Sequence, residues 1–179
     1  MSRDEELIRI WKEDKKSVTL ESGLTALHDC MELIASAIQP SCWLFINGDL
    51  GAGKTTFISL LLKTMGYPGV VSSPTFSIVN VMQFDGKFKS VRKACHLDLY
   101  RLKKASELMH LGLEVEFTSD SFCIFEWAEK IEAEDWADFF NVTLCRRPVE
   151  IMTVNIEYQS ESDTRVYTLG WLEPNALFP

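Results

Sequence analysis

The glycine-rich stretch Gly48-Asp-Leu-Gly-Ala-Gly-Lys54-Thr55 constrains this chain more than any other feature. It matches G-x-x-x-x-G-K-[ST] in full, and its surroundings are those the motif needs to work. Before it runs Cys42-Trp-Leu-Phe-Ile46, a continuous apolar segment of the kind buried on both faces of a parallel sheet. After it the sequence predicts a helix from Lys54 to Met65, stopped by Gly66 and Pro68. Gly48, Gly51 and Gly53 let the loop wrap a phosphate with successive backbone N–H groups pointing inward, and the positive end of the helix adds to that pull. Asp49, Leu50 and Ala52 complete the loop, and Thr56 follows it. Lys54 is placed to reach the β- and γ-phosphates and the Thr55 hydroxyl to hold Mg²⁺. An ordinary strand-to-helix turn is the bland alternative, and the flanking elements argue against it. The chain is expected to bind a nucleoside triphosphate.

Around this motif the chain reads as one unit. Ser22 can cap a helix running to about Gln39, in which Leu24, Leu27, Met31, Ile34 and Ile38 recur at steps of three and four before Pro40. Phe76 to Leu99 favours strands, with Asp85-Gly86 as the turn between them, and a polar helical stretch follows near Lys103–Leu111. Phe122-Cys-Ile-Phe125 is a second buried strand, ending at Glu126, and Val142–Leu144, Ile151–Tyr158 and Arg165–Leu169 read as later strands. Strands alternating with helices early and meandering late imply an α/β sheet of mixed direction in a single domain. The expected layout is a charged lead over 1–16, the P-loop domain over 17–169 and a tail over 170–179.

Composition narrows the function classes. Hydrophobic residues make up 46% of the 179, enough to fill a core, yet no run approaches the ~18 apolar residues of a membrane span. Five cysteines are widely spaced and form no C-x-x-C pair, so reduced buried thiols fit better than a disulfide framework or a zinc site, and a cytoplasmic protein is expected. The formal charge of −8 is uneven: residues 1–90 carry nine basic and ten acidic groups, residues 91–179 nine and sixteen. Glu107 to Asp138 alone holds ten acids against Lys130. A chain that grips nucleic acid by its phosphates has the opposite balance, which argues against direct binding of RNA or DNA. The acidic stretch reads first as a solvated helix and loop face, with a docking surface for a basic partner as the alternative.

A P-loop needs an acid to complete its metal site. Glu126 ends a buried apolar strand, and ligands of open α/β sheets sit beyond the carboxyl ends of the strands. Asp98, in Cys-His-Leu-Asp-Leu, is an acid flanked by apolar residues and needs a cation or hydrogen-bond donors to meet. Metal or water chemistry and a structural salt bridge are both open for either one. Ser72-Ser-Pro-Thr75 reads first as a rigid turn and second as a loop whose hydroxyls sense the γ-phosphate. His96 reads first as a satisfied core residue, Trp127 as packing, and Arg146-Arg147 as surface.

Three classes of P-loop protein compete. Neither the D-x-x-G switch nor the N-K-x-D base-reading motif of a GTPase occurs. A small-molecule kinase closes an arginine-rich lid, whereas only seven arginines are present and the region of a lid is acidic. An ATPase or a non-hydrolysing, nucleotide-gated adaptor remains, and with few transition-state cations of its own the isolated chain should hydrolyse slowly.

Gly48-Asp-Leu-Gly-Ala-Gly-Lys-Thr-Thr-Phe57, Ser73-Pro-Thr-Phe76, His96-Leu-Asp-Leu-Tyr-Arg101 and Glu126-Trp-Ala-Glu129 occur in this order, joined by Leu111-Gly-Leu-Glu114. Together they resemble the TsaE (YjeE) family, small bacterial ATPases of the threonylcarbamoyladenosine tRNA-modification pathway, over about Ser17 to Leu169. The resemblance implies an α/β, P-loop NTPase-like single domain with a mixed parallel and antiparallel sheet flanked by helices, ATP and Mg²⁺ as ligands, and ATP hydrolysis that supports turnover of a TsaB–TsaD pair acting on the adenosine beside the anticodon. By motif, Thr55 and Glu126 would contact Mg²⁺, with Asp98 in or next to its shell. Ser73, Pro74 and Thr75 would form a switch-like loop, Trp127 would lie close to the site, and Ser22 near the adenine. The tRNA would be held by the partners, as the acidity of this chain requires. Met82, where an aromatic is common, and the long basic hairpin Phe84–Ala94 depart from the family pattern.

Overall fold

Two apolar runs become the middle of the sheet because every one of their side chains has a layer to enter. In β2 (Cys42–Asn47), Cys42, Leu44 and Ile46 join one apolar layer, and Trp43 and Phe45 the other. In β5 (Ser121–Glu126), Phe122 and Ile124 point to the first layer, and Cys123 and Phe125 to the second. This two-faced burial is what a central parallel strand demands. The computed structural model describes residues 2–22, 24–74, 77–85, 91–102, 105–143 and 148–177. The other strands are β1 (Val18–Ser22), β3 (Val79–Gln83), β4 (Lys93–Asp98), β6 (Glu150–Gln159) and β7 (Thr164–Leu172). The seven strands are ordered β1-β7-β6-β2-β5-β4-β3. The inner four, β6, β2, β5 and β4, are parallel, while β7 and β1 extend one side and β3 the other in antiparallel fashion. The mixed sheet and flanking helices expected from the sequence are both present.

Helices α1 (Arg3–Asp14), α2 (Leu24–Ala37) and α3 (Lys54–Thr64) contribute to the first layer through Ile8, Trp11, Leu27, Met31, Ile34, Phe57 and Leu61. Across the sheet, α4 (Ala133–Thr143) closes the second layer with Trp136 and Phe139, where Trp136 stacks on Phe45 at 5.1 Å. A short α5 (Pro174–Leu177) ends the described chain.

Several elements differ from the expectation. The sequence around Val142–Leu144 suggests a strand, yet α4 runs through Thr143, because Trp136 and Phe139, one turn apart, anchor that segment as a helix; Leu144 lies outside the described residues. Ser22, expected to cap a helix, closes β1, and α2 begins two residues later at Leu24. The polar stretch near Lys103–Leu111 holds a 3-10 helix over Ala105–His110, and Gly86 of the expected hairpin turn lies outside the described residues.

The charged segment 1–16 contains α1, started by a reciprocal capping box between Ser2 and Glu5 and anchored by fully buried Ile8 and Trp11. Trp11 stacks on Trp171 of β7 at 4.9 Å, and the Lys15 ammonium lies 3.3 Å from the centre of the Trp171 ring. Residues 3–14 therefore pack on the sheet that carries the P-loop, and residues 164–172 form one of its strands.

Candidate nucleotide-binding site

Register decides what meets at the edge of the sheet. Ile46, one residue before the end of β2, pairs with Glu126 at the end of β5, and Glu126 pairs with Asp98 at the end of β4. One row across three parallel strands thus brings the start of the loop and two carboxylates to the same carboxyl-terminal edge. The loop between β2 and α3 leaves that edge with positive φ at Gly48 (140°), Gly51 (81°) and Gly53 (107°), a backbone that side chains with a Cβ rarely adopt. The N-cap residue Gly53 has no side chain to cap α3, which leaves the first-turn N–H groups of this helix open to the loop's interior.

Lys54 is 6% exposed, and its ammonium donates to the carbonyl oxygens of Gly48 (2.6 Å) and Asp49 (3.0 Å). The indole of Trp127 covers it, with the ammonium 3.7 Å from the ring centre. Burial lowers the Lys54 pKa below its ordinary 10.5, and the negative charges of Glu126, Glu129, Asp98 and Asp49 pull in the other direction. Trp127 itself has φ 63°, the turn that swings the chain out of β5, and its N–H donates to the Ile46 carbonyl at 3.1 Å.

The two carboxylates are held differently. Glu126 is 3% exposed; its Oε1 accepts from Thr55 Oγ1 at 3.3 Å and lies 2.8 Å from His96 Nε2. Asp98 accepts from Ser73 Oγ at 2.7 Å and from the Tyr100 N–H at 3.0 Å. Both carboxylates, with Thr55, Ser73, Leu50, Gly51, Gly53 and Trp127, line a cleft of about 420 Å³.

The structure gathers Lys54, Thr55, Thr56, Asp98, Glu126, Trp127 and Ser73 around this cleft. Pro74 is buried, and its carbonyl accepts from the Ser77 and Ile78 N–H groups. Thr75 lies outside the described residues, as do Arg146 and Arg147. Ser22 closes β1 opposite Arg165, and its side chain lies outside the description. Leu50 stands 82% exposed at the rim.

Two participants escape sequence reasoning. Arg165 reaches from β7 to donate through Nε to the Ala52 carbonyl at 3.0 Å, bracing the loop from behind. Nothing in its local sequence marks it, because β7 meets the loop only through the sheet. His96 is the second: it is buried as expected, yet its partner is the Glu126 carboxylate.

The residues present suit a triphosphate with magnesium. The loop is a cradle at Gly48, where a Cβ would lie 2.3 Å from the Ile156 carbonyl oxygen. The Lys54 ammonium is satisfied by the loop's own carbonyls, an arrangement that phosphate oxygens can replace. Magnesium keeps several waters and asks a protein for only one or two oxygen ligands beside phosphate, which Thr55 and Glu126 supply as neighbours.

Fold and site together define a P-loop NTPase-like α/β protein. The family model described as "Threonylcarbamoyl adenosine biosynthesis protein TsaE" matches residues 22–165, and the chain belongs to that family. It is 42% identical over 92 residues to the tRNA threonylcarbamoyladenosine biosynthesis protein TsaE of Haemophilus influenzae, covering 51% of this chain and 55% of that protein. To the protein of the same name from Bacillus subtilis it is 39% identical over 103 residues, covering 58% and 61%. To that of Aquifex aeolicus it is 34% identical over 117 residues, covering 64% and 78%. The chain thus spans a little over half the length of the first two relatives. A solved structure, the crystal structure of B. subtilis YdiB, shares the fold with a TM-score of 0.60 at 24% identity, over 90% of this chain and 91% of that one.

Proposed function

We propose that this chain is a Mg²⁺-dependent ATPase, slow alone, that supports a TsaB–TsaD pair in threonylcarbamoyl modification of the adenosine beside the tRNA anticodon. The observation that carries the reading is Glu126, delivered by β5 to within 3.3 Å of the Thr55 hydroxyl at the mouth of the loop. Membership of the TsaE family supplies the pathway. The acidity of the chain supports a role in which partners hold the tRNA. Among the described residues no helix is long and apolar enough to cross a membrane. Among the described residues Cys30, Cys42, Cys95 and Cys123 are buried free thiols, which agrees with work in the reducing cytoplasm.

In this reading the loop N–H groups of residues 48–55 and the first turn of α3 hold the phosphates. Lys54 leaves the Gly48 and Asp49 carbonyls for the β- and γ-oxygens, and Trp127 closes the cleft over it. Thr55 and Glu126 hold the metal, which when bound neutralises triphosphate charge, and Asp98, kept in place by Ser73, sits beside them. Glu126 or Asp98 orients the attacking water. Among the described residues Lys54 and Arg101 are the cations that line the cleft, few enough for hydrolysis to be slow without a partner.

The test is phosphate release by the purified chain with and without TsaB–TsaD, for wild type and Glu126→Gln. Stimulation by the pair is expected, with Glu126→Gln keeping ATP affinity within about threefold while hydrolysis slows by about 10²-fold or more. A Glu126→Gln variant that no longer binds ATP would make Glu126 a structural residue. Phosphate transfer that requires a small-molecule acceptor and ignores TsaB–TsaD would make the chain a kinase. ATP binding in the complex without phosphate release would make it an adaptor.

A further inference from the structure

His96 is a fully buried imidazole at a position where a buried apolar side chain would fill the layer at lower cost. Its Nε2 lies 2.8 Å from Glu126 Oε1, while Nδ1 is buried and, among the described residues, has no hydrogen-bond partner. An imidazole kept with one nitrogen unmatched implies that the matched one has a role. A carboxylate oxygen only accepts, so Nε2 is the donor of this pair, and in the neutral ring Nδ1 keeps a bare lone pair.

We infer that His96 is a positioning residue for Glu126: its Nε2–H fixes the carboxylate through Oε1 so that Oε2 is left for the cleft. His96 and Asp98 lie two residues apart on β4 and so face the same side of the sheet, the side to which Glu126 also points. β4 is paired on both edges, with β3 and with β5, so the imidazole is carried on rigid backbone. Asp98 has its own anchors in Ser73 and the Tyr100 N–H. Glu126 has Thr55 at 3.3 Å, a long contact, and His96 at 2.8 Å, the short one. Asp98 and Glu126 are direct neighbours across the β4–β5 ladder, where two like charges repel, and the imidazole holds Glu126 against that repulsion. The inference rests on the proposed role of Glu126.

Two measurements test it. Two-bond ¹H–¹⁵N correlation spectra of the free protein read the tautomer without nucleotide; the expected pattern has Nε2 protonated and Nδ1 bare, and a protonated Nδ1 overturns the inference. Kinetics in the presence of TsaB–TsaD then compare His96→Leu with His96→Gln, whose amide nitrogen can stand in for Nε2. Expected is a 10- to 100-fold lower kcat for His96→Leu, with KM for ATP within about threefold, and substantial recovery of kcat in His96→Gln. A wild-type kcat in His96→Leu, or a Gln variant no better than Leu, overturns it. Should His96→Leu fail to fold, a His96→Gln kcat below one-tenth of wild type overturns it and one near wild type supports it. A wild-type rate in Glu126→Gln is a separate failure, that of the underlying reading, and the tautomer pattern still reports the His96–Glu126 contact on its own.

Discussion

The shape of the phosphate loop can be tested by giving two of its glycines a methyl group. Gly48 and Gly51 both hold positive φ, 140° and 81°, so alanine at either site meets backbone strain of about 1–2 kcal/mol. They differ in surroundings. A Cβ on Gly51 meets nothing within 4 Å, whereas one on Gly48 would lie 2.3 Å from the Ile156 carbonyl oxygen and 3.3 Å from the Ala52 Cβ. Ile156 is paired with Tyr167 of β7 and follows directly on Asn155, the last β6 residue paired with β2, so that carbonyl cannot retreat without disturbing the sheet. Gly48→Ala must therefore displace the loop and is expected to cost about 1–3 kcal/mol more than Gly51→Ala. At about 2–4 °C per kcal/mol for a chain of this size, the two melting temperatures should differ by roughly 2–12 °C. Calorimetry or urea unfolding gives the stabilities, and titration with a non-hydrolysable ATP analogue gives affinity, which Gly48→Ala should lose more completely. Equal stability and affinity in the two variants would refute the reasoning, since the contact with β6 is present at Gly48 and absent at Gly51.

Arg165→Lys keeps the charge but not the Nε–H that braces the Ala52 carbonyl, and one hydrogen bond of about 1 kcal/mol corresponds to roughly fivefold weaker nucleotide binding by calorimetry. Unchanged affinity with only a lower melting temperature would limit Arg165 to stability. Burial lowers the Lys54 pKa, so the folded chain carries a penalty at pH below that value which is relieved as pH rises towards 10.5. Phosphate in the loop favours the charged lysine, so ATP affinity should fall as pH rises through the same range, beginning below the ordinary lysine value; Lys54→Arg should hold its affinity to higher pH. Burial pushes the Cys30 thiol up to about 11 and the Cys42 thiol up to about 12. Iodoacetamide at pH 8 should leave both unmodified in the native chain and label both in urea, as read by peptide mass spectrometry; rapid native labelling would contradict their burial.

Much of the site was legible because its residues are local to motifs. Gly48 to Thr55 announces its own geometry, and the apolar runs before it and before Glu126 imply central parallel strands whose ends converge. What was hidden is non-local. Arg165 lies 113 residues from Ala52 and meets it only after β7 joins the sheet. The His96–Glu126 contact depends on the β4–β5 register, which the sequence leaves open. Helix α1 was masked by its charges: Ile8 and Trp11 are its only buried residues in twelve, and Trp11 gains its place from Trp171 at the other end of the chain. The misreading of Val142 as strand had the opposite cause, a β-branched residue held in a helix by Trp136 and Phe139 upstream.

The central claim, a P-loop ATPase serving threonylcarbamoyladenosine formation, is met most directly by mass spectrometry of tRNA nucleosides. Cells depleted of this protein are compared with cells rescued by wild type or by Lys54→Ala. The expected result is a fall in threonylcarbamoyladenosine that wild type restores and Lys54→Ala does not, since that change removes the cation held within the loop. Full restoration by Lys54→Ala, or no fall on depletion, would contradict the claim.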